Sequence, residues 1–147
     1  MQDILKPLEA PRTALRLAFG LVPILAGLDK FTNLLTDWSQ YVAPVARAVL
    51  PVAPETFLYV AGVIEVAVGV AILTRWTVIG SYVAAVWLTL LAGNLVLAGF
   101  FDVAVRDLVM AVAAVTLARL TEVHEAAAKS VPEARSVPRP VGAERAA

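Results

Sequence analysis

Five ionisable side chains, Asp29, Lys30, Glu65, Arg106 and Asp107, interrupt stretches that are otherwise apolar enough to cross a membrane. A charge in hydrocarbon costs at least about 2.5 kcal/mol, so a chain carrying five must bring them together or put them to use. Any fold for this chain has to meet that condition first.

Hydrophobic residues make up 60% of the chain and charged residues 16%, where soluble domains run near a quarter charged. This composition reads as a membrane protein, and 147 residues allow one domain with room for about four spans of roughly 20 residues each. A formal net charge of zero argues against a nucleic-acid partner. The absence of cysteine excludes disulfides, thiol redox chemistry and cysteine-held iron–sulfur clusters.

Residues 1–12 read as a cytoplasmic N-terminal segment, followed by a first span over 13–35 that contains Arg16 near its start and Asp29-Lys30 near its end. Pro23 in its middle removes the hydrogen bond to the Phe19 carbonyl and bends the helix. The second span, 55–73, is interrupted only by Glu65. Gly62, Glu65 and Gly69 recur at i, i+3 and i+7, so the carboxylate shares a face with glycines that let another helix approach. The third span, 76–101, has no charge, and Asn94 is its most polar residue; the fourth, 101–120, opens with FDVAVRDL and continues alanine-rich.

Between the first two spans, Pro44, Pro51 and Pro54 break a semi-apolar stretch whose Trp38 and Tyr41 suit a membrane interface, which predicts a short interfacial helix. Residues 121–147 turn abruptly polar and read as a disordered cytoplasmic tail, with helix at most in its first turns. The predicted fold class is therefore all-α: an integral membrane four-helix bundle with a short interfacial helix between helices 1 and 2. Placing both termini in the cytoplasm, as in a bacterial-type inner membrane, puts nine of the twelve basic residues on that side and leaves only Lys30, Arg47 and Arg106 elsewhere.

In that topology, with a rise of 1.5 Å per residue, Asp29 and Asn94 lie roughly 9 Å from the outer ends of their helices, Arg106 and Asp107 roughly 7 to 9 Å, and Glu65 roughly 14 Å. All four spans thus place polar groups in the outer half. Sequence neighbours on a helix do not face each other, so Asp29 and Lys30, and likewise Arg106 and Asp107, need partners on other helices. Three carboxylates against two cations leave a surplus of one negative charge. Keeping one carboxylate protonated costs less than burying it bare, and Glu65, the deepest, is the expected neutral acid.

The stretch RLAFGLVPILAGLDKF, then GVIEVAVGVAIL, then FFDVAVRDLVMA resembles the DoxX family of small four-helix membrane proteins. The resemblance runs from Arg16 to Leu120, and its most specific positions are Arg16, Gly27, Lys30, Glu65, Gly69, Arg106 and Asp107. It implies a membrane subunit linked to redox systems: one branch supplies the membrane part of a thiosulfate:quinone oxidoreductase, and another tethers a sulfurtransferase and a superoxide dismutase.

Asp29, Lys30, Glu65, Asn94, Arg106 and Asp107 form the candidate buried polar cluster and ligand site, and Gly27, Gly62 and Gly69 the candidate helix contacts. The cluster serves equally well as packing glue that fixes helix register or as a proton or quinone site. For a quinone headgroup, Glu65, Arg106 and Asn94 would supply hydrogen bonds, with Trp87 and Phe100 as apolar wall. Haem is poorly served, since the single histidine, His124, lies beyond the fourth span. The carboxylates also lack the Glu-x-x-His pattern of bundle metal centres, and no nucleophile–base pair or phosphate loop occurs.

No catalytic residue and no metal site is therefore assigned, and no cofactor beyond a quinone is indicated. Two function classes follow: a non-catalytic anchor or accessory subunit of a membrane redox system, or a quinone-interacting subunit of an oxidoreductase. A small-solute transporter is a weaker third. The lipid bilayer and a redox partner protein are the expected partners, and homo-oligomerisation stays open.

Overall fold

A computed structural model describes residues 2–49 and 53–136. Helices α1 (Gln2–Thr32), α2 (Pro44–Val49), α3 (Pro54–Leu73), α4 (Thr77–Ala98) and α5 (Phe101–Ser136) are joined by short connections, with a single 3-10 turn at Trp38–Tyr41. Among the described residues there is no strand. The four long helices close a ring in which α1 packs tightest on α3 and α4 on α5, with looser seams from α3 to α4 and from α1 to α5.

Two sequence boundaries move. The helix expected from Thr13 begins at Gln2, and the one expected to stop at Leu120 runs on to Ser136. Glu, Ala and Lys in the stretch after Leu120 are strong helix formers, and Thr121 is still buried, so packing and propensity carry the helix past the change in composition. The part of the predicted tail from 137 onward lies outside the described residues.

Glycine fixes the α1–α3 contact. Gly20 stands opposite Gly69, and Gly27 opposite Gly62, in an antiparallel register one heptad apart. A Cβ on Gly27 would lie 2.5 Å from the Gly62 carbonyl oxygen, and one on Gly62 would lie 2.6 Å from that of Gly27. The two backbones touch, as close small-residue helix packing requires. One turn further along, Arg16 donates to the carbonyls of Ile72 (3.0 Å), Leu73 (2.7 Å) and Thr74 (2.7 Å). Those oxygens are left over at the end of α3, and Arg16 with the Thr77 hydroxyl (2.8 Å to Ile72) satisfies them.

The α4–α5 reversal uses a different device. Gly99 takes φ 86°, the left-handed conformation, and its N–H bonds the Val96 carbonyl while that of Phe100 bonds Leu95, the paired bonds of a Schellman motif. Alanines at 84, 85, 111, 114 and 118 then let α4 and α5 approach closely around Ile72 and Leu117, both fully buried.

Helices α3 and α4 are each long and apolar enough to cross a membrane. The outward faces of α1 and α5 are also apolar: Leu17, Leu21, Leu25 and Leu28 on one and Val105, Val109 and Val112 on the other are exposed. Hydroxyls in the helices turn back on their own backbone, Ser81 to Thr77, Thr89 to Ala85 and Thr121 to Leu117, and so demand nothing of the surroundings.

Candidate functional site

The two tight helix pairs leave a cleft between them, a cavity of about 400 Å³. Its walls run along α1 from Ala18 to Lys30, which is about 18 Å at the helical rise. Pro23 and Phe19 line it, so the proline that cannot bond the Phe19 carbonyl sits on the cavity face of α1. The rest of the wall is chiefly apolar, with polar side chains gathered toward the end where α1 stops.

Lys30 and Glu65 meet there. The ammonium lies 2.6 Å from the Glu65 Oε2, both side chains are 6–7% exposed, and the contact bridges α1 and α3. The glycines let them meet: in the antiparallel register Lys30 stands beside Gly62 and Glu65 beside Gly27, and the two side chains reach toward each other past a contact that has no side chain of its own. Trp87 on α4 donates weakly to the other Glu65 oxygen at 3.4 Å, and the Lys30 ammonium also sits 3.8 Å from the centroid of the Trp38 ring. Glu65 thus has the Lys30 amine as a buried partner on another helix.

Asp107, on α5, completes the group. It lines the same cavity, within electrostatic range of Glu65 and Lys30, and accepts no hydrogen bond from any described residue. Four helices therefore contribute to one polar pocket: Lys30, Glu65, Trp87 and Asp107.

Three of the expected members do other work. Asp29 is buried but has no cationic partner on another helix. Its carboxylate instead accepts from the backbone N–H groups of Leu34 (2.9 Å) and Leu35 (3.1 Å), the Thr32 hydroxyl (3.1 Å) and the Trp38 indole (2.8 Å). It fastens the chain leaving α1, because a carboxylate at a helix end meets free N–H groups of the following turn before it can reach a neighbouring helix.

Asn94 likewise serves the connection. Its side chain accepts from the Ala43 N–H at 3.1 Å and donates to the Tyr41 carbonyl at 2.7 Å. Arg106 leaves the group altogether: its side chain is 75% exposed and reaches Asp102 on its own helix at 3.9 Å. Its place one residue before Asp107 turns it about 100° away from the cavity, as helical geometry requires.

The connection from Asn33 to Val49 folds over the end of the cavity where α1 stops. In place of one interfacial helix it forms the Trp38–Tyr41 turn and the six-residue α2, with Val42 and Ala43 buried. Trp38, Tyr41 and Val42 line the cavity mouth, Tyr41 packs edge-on against Phe100 at 4.9 Å, and Arg47 ties α2 back to the Ser39 and Val42 carbonyls. Trp38 and Trp87 thus touch the charged pair directly, roles that composition and span-finding assign to interface and wall. The eight-residue separation of Lys30 and Trp38, across a break in the helix, holds no readable signal of their contact.

Among the described residues no group of three or more metal-ligating side chains occurs. No curated protein and no solved structure matches the chain. A family model described as DoxX matches residues 12–92, more than half of its length. That range holds Arg16, both glycine pairs and the Lys30–Glu65 bridge, and by it the chain belongs to the DoxX family.

Proposed function

We propose that the chain is a multi-pass membrane protein whose helices α1, α3, α4 and α5 cross the bilayer with both termini in the cytoplasm. In this reading it is a non-catalytic subunit that seats a lipophilic quinone for a membrane redox system. The observation that carries the reading is the cavity between the helix pairs, apolar along its length and polar at one end.

A volume of about 400 Å³ lies in the range of small-molecule sites, and an elongated apolar cleft with a polar end suits a ring compound with a hydrocarbon tail. A quinone, when bound, accepts two electrons and two protons. The chain holds no cysteine and a single histidine, so the electrons come from a redox centre of a partner protein. The side chains here bind and orient: Trp87 offers an N–H, Asp107 a carboxylate, and the Trp38–Tyr41 turn keeps water from the mouth.

A recruiting role is favoured by a separate observation. Beyond the Arg16–Leu73 level, α1 continues for about 20 Å to Gln2, and α5 also runs past its contact between Glu122 and Tyr82. Both extensions lie at the same end and offer a helical platform to a soluble partner.

The test is purification in mild detergent, solvent extraction of quinone and mass spectrometry of co-eluting proteins. Isoprenoid quinone at roughly one per chain is expected, and it should be lost in Ala61→Phe, which fills the cavity from a buried wall position. A quinone-free parent protein would overturn the quinone-seating reading, and the absence of any redox protein among the co-eluting species the recruiting one.

A further inference from the structure

The polar groups at the cavity's end differ in what they have left to give. Lys30 spends its ammonium on Glu65 and the Trp38 ring. The Trp38 N–H is held by Asp29, and one Asn94 amide N–H by the Tyr41 carbonyl. Glu65 accepts from Lys30 and, at longer range, from Trp87. The Tyr41 hydroxyl, at the mouth, can donate or accept. Asp107 alone combines a place on the cavity wall, a charge and no hydrogen-bond partner among the described residues.

An ionised carboxylate only accepts. It forms a strong bond to a ligand O–H, whereas a bare ligand carbonyl placed against it brings two acceptors together with no proton between them. The donors around the cavity serve a ligand carbonyl or hydroxyl oxygen alike, so Asp107 is the group that tells the two apart, and a site that reads a hydroxyl strongly rejects the analogue that lacks it.

We propose that the cavity selects hydroxyl-bearing lipophilic rings, hydroquinones and phenols, over carbonyl-only quinones, with Asp107 as the acceptor that reads the hydroxyl. This rests on the quinone-seating reading above and adds to it which redox form is held. Tighter binding of the reduced form raises the potential of the bound couple by about 30 mV for each tenfold of preference, which makes the bound quinone easier to reduce.

Calorimetric titration of the full-length protein in detergent tests this, with a short-chain benzoquinone and the same compound kept reduced under argon, at pH 8. The reduced form is expected to bind at least about tenfold more tightly, as a hydrogen bond to a charged acceptor allows. Asp107→Asn, which keeps the volume but adds a donor, should bring the two affinities to within about threefold, while Asp107→Glu restores the preference. Equal or tighter binding of the oxidised form by the parent protein overturns the selectivity and leaves the quinone seat standing. A preference that survives in a folded Asp107→Asn variant overturns the role of Asp107. Binding of neither form overturns the seat and the selectivity together.

Discussion

Removing the Lys30 ammonium alone, with Lys30→Met, leaves the Glu65 carboxylate 6% exposed with only a long Trp87 contact. Breaking one side of a buried ion pair costs about 3–5 kcal/mol, because the remaining charge keeps its desolvation penalty and loses its partner. Glu65→Gln should cost less, about 1–3 kcal/mol, since the amide oxygen can still accept from Lys30 and the Trp38 ring still faces the ammonium. The double variant removes both charges together and should cost far less than the sum of the two, with a coupling energy of about 2 kcal/mol or more. Reversible unfolding in mixed micelles, read by far-UV circular dichroism over an SDS titration, measures all four corners of the cycle. Additive single losses would mean the two groups do not sense each other, and the register built on Gly27 and Gly62 would then be wrong. The Arg106–Asp102 pair supplies the control: its side chains are 75% and 71% exposed at 3.9 Å, and its cycle should give a coupling within experimental error.

The glycine contact makes a graded prediction. Gly27→Ala, whose Cβ would sit 2.5 Å from the Gly62 carbonyl, should destabilise by about 1–3 kcal/mol, while Gly93→Ala, with open space around it, should be neutral or stabilise by up to about 1 kcal/mol in the same unfolding assay. Asn94→Leu leaves the Tyr41 carbonyl and Ala43 N–H without their partner, so hydrogen exchange over residues 38–49 should rise at least about fivefold with the helices unaffected. Asp37, outside the spans, is held below the ordinary aspartate range by hydrogen bonds from the Ser39 hydroxyl and N–H and by Arg47. Its hold on the Trp38–Tyr41 turn is therefore complete above about pH 4 and is lost as the pH falls through its lowered value, which exchange measured from pH 6 down to pH 2.5 should show, and which Asp37→Asn should abolish.

Helix positions were legible because their signals are local. Apolar runs, broken within the span of α3 only by Glu65, mark α3 and α4, and the i, i+3, i+7 spacing of Gly62, Glu65 and Gly69 places them on the face that meets α1. That Lys30 needs a partner on another helix also follows from spacing, and the structure supplies it in Glu65. What sequence reasoning missed are contacts decided by short-range competition. Asp29 and Lys30 carry equal and opposite charges at adjacent positions, yet one turns to the N–H groups of the chain just past α1 and the other to a neighbouring helix. Depth along a span says nothing about azimuth. Arg106 and Asp107 sit at nearly the same depth about 100° apart around α5, and only packing tells which one faces inward.

The same separation between depth and azimuth explains why there is a cavity at all. Glycine at four positions brings α1 and α3 into backbone contact, and alanine along the facing sides of α4 and α5 does the same for the second pair. Between the pairs stand larger groups, among them Phe19, Leu88, Trp87 and Met110, which hold the seams apart without filling the space they create. A uniform bundle would spread its small residues evenly and close up. Here they are spent on two seams, and the charged bridge of Lys30 and Glu65 spans the glycine contact of one of them. Asp107 comes from the opposite pair and meets that bridge across the gap. Any change that tightens the α3–α4 or α1–α5 seam must therefore expel whatever occupies the cleft and press Asp107 toward Glu65.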